Sequence, residues 1–200
     1  MTGQFVWING LPGVGKLTVA RALHALLTPD KSTLVDNHSL IDQVTLARDH
    51  PDYNAERARV RDAAYAAVVH PTTDAESACG SKEQQLARVV IFTDFFTAGT
   101  LGTEWSQAHQ AAAVKGGRPF LPIYLVCERE ENLRRVELPE RGRAGRIKLM
   151  DVKLVSKFMN ETKIYRFEGL GVEIDVTSRK PEETAQLILE TIQAQQEEQR

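Results

Sequence analysis

The sequence predicts a mostly parallel α/β domain, a five-stranded sheet covered by helices on both faces. Three observations predict it. Short apolar, partly β-branched runs alternate with longer stretches in which apolar residues recur at helical spacing. The strand-like runs are apolar throughout, as strands buried on both faces are. A glycine-rich turn joins the first such run to the first helical stretch.

The elements follow in order. Residues 5–8 form a buried strand that stops at Asn9 and Gly10. Residues 16–27 carry Leu17, Ala20, Leu23 and Leu27 at helical spacing and end before Pro29. A second strand covers 32–35 and runs into Asp36, Asn37 and His38. Residues 53–69 are rich in Ala and Arg without Gly or Pro, and read as helix; 71–81 are small and polar and read as a surface loop. Residues 88–93 are a third strand ending at Asp94, and 103–115 a helix closed by Gly116 and Gly117. A strand over 120–127 and a helix over 129–136 come next. Residues 137–149 mix Pro, Gly and Arg and read as a mobile segment. A helix over 151–160, a last strand over 172–176 and a last helix over 181–195 complete the chain, with Pro181 in the first helical turn and 195–200 fraying. No internal repeat appears, so residues 1–200 read as one domain.

Bulk properties narrow the function classes. A net charge of -2 points to no nucleic-acid or acidic-membrane partner. No apolar run approaches the roughly 20 residues that span a bilayer. The first residues lack a basic stretch, so no secretory signal is expected. Two cysteines, Cys79 and Cys127, make no disulfide framework, and a reduced cytoplasmic setting is the simplest reading. His24, His38, His50, His70 and His109 show no zinc-like spacing.

Gly10, Leu11, Pro12, Gly13, Val14, Gly15 and Lys16 lie between a strand and a helix, the context a phosphate-binding loop requires. Triphosphate oxygens need several backbone N–H groups converging on one point. Glycine permits the dihedrals and removes the Cβ atoms that would block approach. The helix N-terminus adds partial positive charge, and Lys16 can reach the β- and γ-phosphates. One position departs from the usual pattern. The residue after the lysine ordinarily offers a hydroxyl to Mg²⁺, and here it is Leu17. Leucine cannot ligate a hard cation. Thr18 is the next hydroxyl, better placed for the α-phosphate than for the metal.

The chain resembles the P-loop small-molecule kinases, and within them the AAA_33-type kinases related to shikimate, gluconate and chloramphenicol phosphotransferases. The resemblance rests on residues 9–20, on the run Leu34, Val35, Asp36, Asn37, His38, and on Glu131, Asn132, Leu133, Arg134, Arg135. It implies a three-layer P-loop kinase fold with strand order 2-3-1-4-5 and a lid after the fourth strand. It also implies transfer of the γ-phosphoryl of ATP, with Mg²⁺, to a hydroxyl of a small molecule. On that resemblance Asp36 takes the acceptor's proton, with a helix-capping aspartate as the alternative. Asp94 takes the position of a strand-end acid that holds Mg²⁺, the alternative being a turn or cap. The lid brings Arg134, Arg135, Arg141, Arg143, Arg146 and Lys148 against Glu137 and Glu140. Arginine clamps a transferring phosphoryl group well, and Arg135 and Arg141 fit the spacing of related lids best. The loop of residues 175–181, including Thr177, resembles the one that cradles adenine. Two other readings compete: a nucleoside or nucleotide kinase, which Arg48, Arg57, Arg59 and Arg61 would suit, and a non-catalytic nucleotide binder, which Leu17 favours. Neither the acceptor nor the oligomeric state is legible.

Overall fold

A computed structural model describes residues 2–71, 81–137 and 152–198. Its five strands are β1 (Phe5–Gly10), β2 (Ser32–Asp36), β3 (Val89–Asp94), β4 (Phe120–Val126) and β5 (Val172–Asp175). They form one parallel sheet in the order β2-β3-β1-β4-β5, the order the resemblance implies. All six residues of β1 and all six of β3 are buried, because both strands lie inside the sheet with helices on either side.

Alternation along the strands sorts their side chains into two cores. Val6, Ile8, Ile91, Leu121, Ile123 and Leu125 face one side. There α1 (Lys16–Leu27) contributes Val19, Ala20 and Leu23, and the last helix, α8 (Pro181–Glu198), contributes Ala185, Ile188 and Ile192. Phe5, Trp7, Val90, Phe92 and Tyr124 face the other side. That core is aromatic. It is closed by α3 (Tyr53–Ala64), which continues into a π-helical turn at Tyr65–Val69, and by α5 (Thr100–Lys115).

The strand and helix expectations match within a few residues at each end, including α6 (Arg129–Glu137) and α7 (Val152–Glu161). Two short helices add to these, the first at the place where a capping Asp36 implies one and the second without a counterpart in the sequence reading. The first, α2 (Asn37–Ile41), is capped by the Asp36 side chain. The second, α4 (Lys82–Ala87), begins with a reciprocal capping box between Ser81 and Gln84. The surface-loop expectation for 71–81 falls on residues 72–80, outside the described residues, as does Cys79. The lid expectation for 137–149 lies outside them too, except for Glu137.

At the end of the sheet away from the phosphate loop, Arg118 ties several segments together. It is 5% exposed and donates to the carbonyls of Gly3, Val68, Val69, Gln85, Leu86 and Arg88. Burial draws its guanidinium down to about 10.

Candidate functional site

The loop between β1 and α1 has the backbone that its glycines predict. Gly13 and Gly15 sit at φ 97° and 100°, where side-chain-bearing residues are strained. Gly13 is also crowded: a Cβ there would meet Val136 Cγ2 at 2.7 Å and Asn132 Oδ1 at 2.8 Å. Helix α6 therefore lies directly on the loop, and Asn132 Nδ2 donates to the Pro12 carbonyl at 3.0 Å. No side chain caps the N-terminus of α1, and its first turn holds no acid. Its leading N–H groups and partial positive charge suit an anion. Lys16 folds back so that Nζ donates to the carbonyls of Gly10 (2.7 Å) and Leu11 (2.9 Å). Its ammonium is thus held over the loop. Leu17 is half-buried and Thr18 exposed.

Asn9 is a residue the sequence reading passed over. Its Oδ1 accepts from the N–H groups of Gly10 and Phe96, and its Nδ2 donates to the carbonyls of Phe96 and Tyr165. It pins the start of the loop to the segment after β3. A buried amide in an apolar strand is the sequence signal that could have found it.

The two strand-end acids differ in side. Asp36 is in phase with Leu34 on β2, and Thr93 with Ile91 on β3, so both face the phosphate-loop side of the sheet. Thr93 Oγ1 donates to Asp36 Oδ1 at 3.3 Å, and the His38 N–H lies 3.4 Å from the same oxygen. Asp36 therefore caps α2, the alternative weighed from the sequence, while standing at the edge where the loop opens.

Asp94 is in phase with Phe92 and faces the aromatic core. Its carboxylate, 1% exposed, accepts from Arg61 Nη2 (3.2 Å) on Oδ1, and from His109 Nε2 (2.9 Å) and Trp7 Nε1 (3.2 Å) on Oδ2. The expectation that Asp94 holds Mg²⁺ is not met by this geometry. Three donors occupy it on the face opposite α1. Burial pushes its carboxyl up, yet Arg61 and His109 outweigh this and hold it below the usual carboxylate range. Among the described residues no group of three or more His, Cys, Asp or Glu side chains could hold a metal. Mg²⁺ at such sites is held mainly by waters and substrate phosphates with one or two protein oxygens, and Leu17 offers none from the first turn of α1.

Arg135 and Thr177 meet on the other flank of the loop. Arg135 Nη2 donates to the carbonyls of Val176 and Thr177, Nη1 lies 3.4 Å from the Val14 carbonyl, and Nε pairs with Glu131 at 2.7 Å. The sequence reading put this guanidinium on the phosphates; here it links the phosphate loop to the loop after β5. Hydrogen bonds from Arg134 and Arg135 draw the Glu131 carboxyl down to about 2. Thr177 Oγ1 donates to Asp175 Oδ1 and accepts from the Glu128 N–H. Cys127, half-buried beside Thr177, has its thiol pushed up by burial, the opposite of an activated nucleophile. Phe96 packs in the aromatic core, and Phe95 packs on Phe158 of α7. Arg141, Arg143, Arg146 and Lys148 lie outside the described residues.

No family model matches the chain, and no curated protein matches it with significance. Solved structures do. A gluconokinase from Sinorhizobium meliloti 1021 is 14% identical, with a TM-score of 0.61 over 98% of this chain and 95% of its own. The APS kinase of Mycobacterium tuberculosis, solved with AMPPNP and APS, is 15% identical, with a TM-score of 0.60 over 96% and 98%. The shikimate kinase of Acinetobacter baumannii, solved with shikimate, is 15% identical, with a TM-score of 0.57 over 97% and 95%. At these identities the likeness establishes the fold, and the fold is that of P-loop small-molecule kinases.

Proposed function

We propose that this protein moves the γ-phosphoryl group of ATP to a hydroxyl of a small molecule. The observation that carries the reading is the loop itself. Two glycines in left-handed backbone and an uncapped helix start surround an ammonium folded over the loop carbonyls. Kinases acting on gluconate, shikimate and APS share the fold over nearly the whole chain, which supports the same class of chemistry.

In this reading the N–H groups of residues 10–18 cradle the phosphates, with Thr18 beside the α-phosphate. Lys16 exchanges two neutral carbonyls for the β- and γ-phosphate oxygens, a stronger, charge-assisted pairing. The acceptor oxygen attacks the γ-phosphorus as the bond to the β,γ-bridging oxygen breaks, and ADP leaves with that electron pair. Asp36, on the loop's side of the sheet, takes the acceptor's proton on a carboxylate oxygen. Arg135 holds the Val14 carbonyl and the Thr177 segment in one frame, so it sets the nucleotide's seat. Arg141 is the candidate for a direct phosphate contact from the lid.

Leu17 favours a second reading, a protein that binds the nucleotide without transferring phosphate. Incubation with ATP, Mg²⁺ and a mixture of hydroxylated metabolites, followed by mass spectrometry, separates the two. A product heavier by one phosphoryl group supports the kinase. Tight ATP binding without such a product supports the binder.

A further inference from the structure

Two side chains of α6 hold the phosphate loop from outside, and both do so through its carbonyls. Asn132 Nδ2 donates to the Pro12 carbonyl at 3.0 Å, and Arg135 Nη1 lies 3.4 Å from the Val14 carbonyl. Residues three apart share a helix face, so both reach the loop from the same side. A trans peptide is planar, and its C=O and N–H point in opposite directions. No cis peptide occurs among the described residues. A Pro12 carbonyl turned toward α6 therefore turns the Gly13 N–H away from α6. The Val14 carbonyl does the same for the Gly15 N–H. Neither N–H meets a backbone acceptor among the described residues. Successive N–H groups left open in this way are what a phosphate cradle consists of.

The Asn132 side chain carries a cost that its donor explains. The residue is 1% exposed, and its Oδ1 has no hydrogen-bond partner among the described residues. That oxygen stands 2.8 Å from where a Cβ on Gly13 would lie, so it packs on the glycine. A buried acceptor left unpaired is destabilising. Leucine has nearly the same shape and would avoid that cost, but it lacks the donor to Pro12. The surroundings fix the donor in place. Nδ2 also lies 3.8 Å from Met159 Sδ on α7, and Arg129 of α6 donates to Ser156 and Asn160 of α7. Helix α6 is thus braced against α7 while it bears on the loop.

We propose that Asn132 is a positioning residue for phosphate binding: from α6 it holds the Pro12–Gly13 peptide so that the Gly13 N–H faces the bound phosphates, as Arg135 does for Gly15. Asn132 acts through that peptide and touches no phosphate itself. This rests on the reading of the loop as a triphosphate cradle.

The test follows the loop amides of the full chain by ¹H–¹⁵N NMR as AMPPNP is added, with affinity from calorimetry and melting temperature from circular dichroism. In the wild type the Gly13 and Gly15 amide protons should move downfield, as N–H groups do when a phosphate oxygen accepts from them. In Asn132→Leu the Gly13 response should shrink while Gly15 keeps its own, because Arg135 still holds Val14. AMPPNP should bind roughly fivefold or more weakly. The melting temperature should hold within about 3 °C, because leucine removes the unpaired oxygen together with the donor. Asn132→Ala should show the same Gly13 and affinity changes, which keeps the test decisive if the leucine variant does not fold. A merely structural asparagine would lower the melting temperature and leave the Gly13 response intact. That result, or wild-type affinity in both variants, overturns the proposal. So does a wild-type titration in which Gly15 and Lys16 respond and Gly13 stays still. If no loop amide of the wild type responds, the nucleotide reading itself fails, so the two failures are distinct.

Discussion

Replacing Gly13 by alanine tests the contact between the phosphate loop and helix α6. Two terms oppose the substitution. At φ 97° an L-residue is strained by about 1–2 kcal/mol. The new Cβ would also lie 2.7 Å from Val136 Cγ2 and 2.8 Å from Asn132 Oδ1, both buried on α6. Overpacking of that kind costs about 1–3 kcal/mol. The sum, roughly 2–5 kcal/mol, lowers the melting temperature of a chain this size by about 4–20 °C. Gly15 is the internal control. Its φ is 100°, yet a Cβ there has nothing within 4 Å, so Gly15→Ala should lose only the strain, roughly 2–8 °C. Thermal unfolding by circular dichroism gives both values, and a fluorescent ATP analogue reads loop competence. In a Val136→Ala background the penalty at Gly13 should shrink, because the methyl that crowds it is gone. Equal losses for Gly13→Ala and Gly15→Ala in the wild-type background would refute the reasoning: α6 would then not constrain the loop.

Four further predictions concern chemistry and stability. Lys16→Ala should weaken ATP by about 1.5–3 kcal/mol and reduce turnover further, and equal affinities by calorimetry would remove Lys16 from the phosphates. Asp36→Asn should leave ATP affinity within about threefold while acceptor phosphorylation falls at least about 10²-fold; a wild-type rate would leave Asp36 a cap for α2 and nothing more. Arg118→Met strips the donors from six backbone carbonyls and should cost at least about 3 kcal/mol by urea unfolding, with a loss under about 1 kcal/mol contradicting the role given to it. His109 binds a proton more weakly folded than unfolded, because burial opposes the charge. Its stabilisation is thus full above the unfolded value of about 6.5 and falls as pH drops below it. His109→Gln should flatten the stability profile between about pH 6.5 and 5, and an unchanged slope would count against a buried neutral imidazole.

The order of elements and the phosphate loop were legible because both depend on local chemistry. An apolar β-branched run prefers extended backbone wherever it lies, and residues 10–16 have few alternatives once glycine and a following helix are in place. The helix α1 begins and ends where its own spacing and the turn at Pro29 place it. The strand order, by contrast, followed from resemblance and not from residue pattern, since parallel neighbours are brought together by crossovers that leave no short-range mark.

The roles of the acids and arginines were decided by tertiary structure. Asp36 and Asp94 look alike in sequence, each an acid closing a strand. The alternation of side chains sends one toward the phosphate loop and the other into the aromatic core. Asp94's partners, Trp7, Arg61 and His109, come from three other elements, and only the folded sheet brings them to one carboxylate. Arg135 likewise meets carbonyls of Val14, Val176 and Thr177 on distant segments, contacts that its spacing in the sequence does not show. Residue type told what each group could bond. Which partner it met was set by strand phase and helix placement, because hydrogen bonds act over about 3 Å and the chain separations that close such distances are properties of the whole fold.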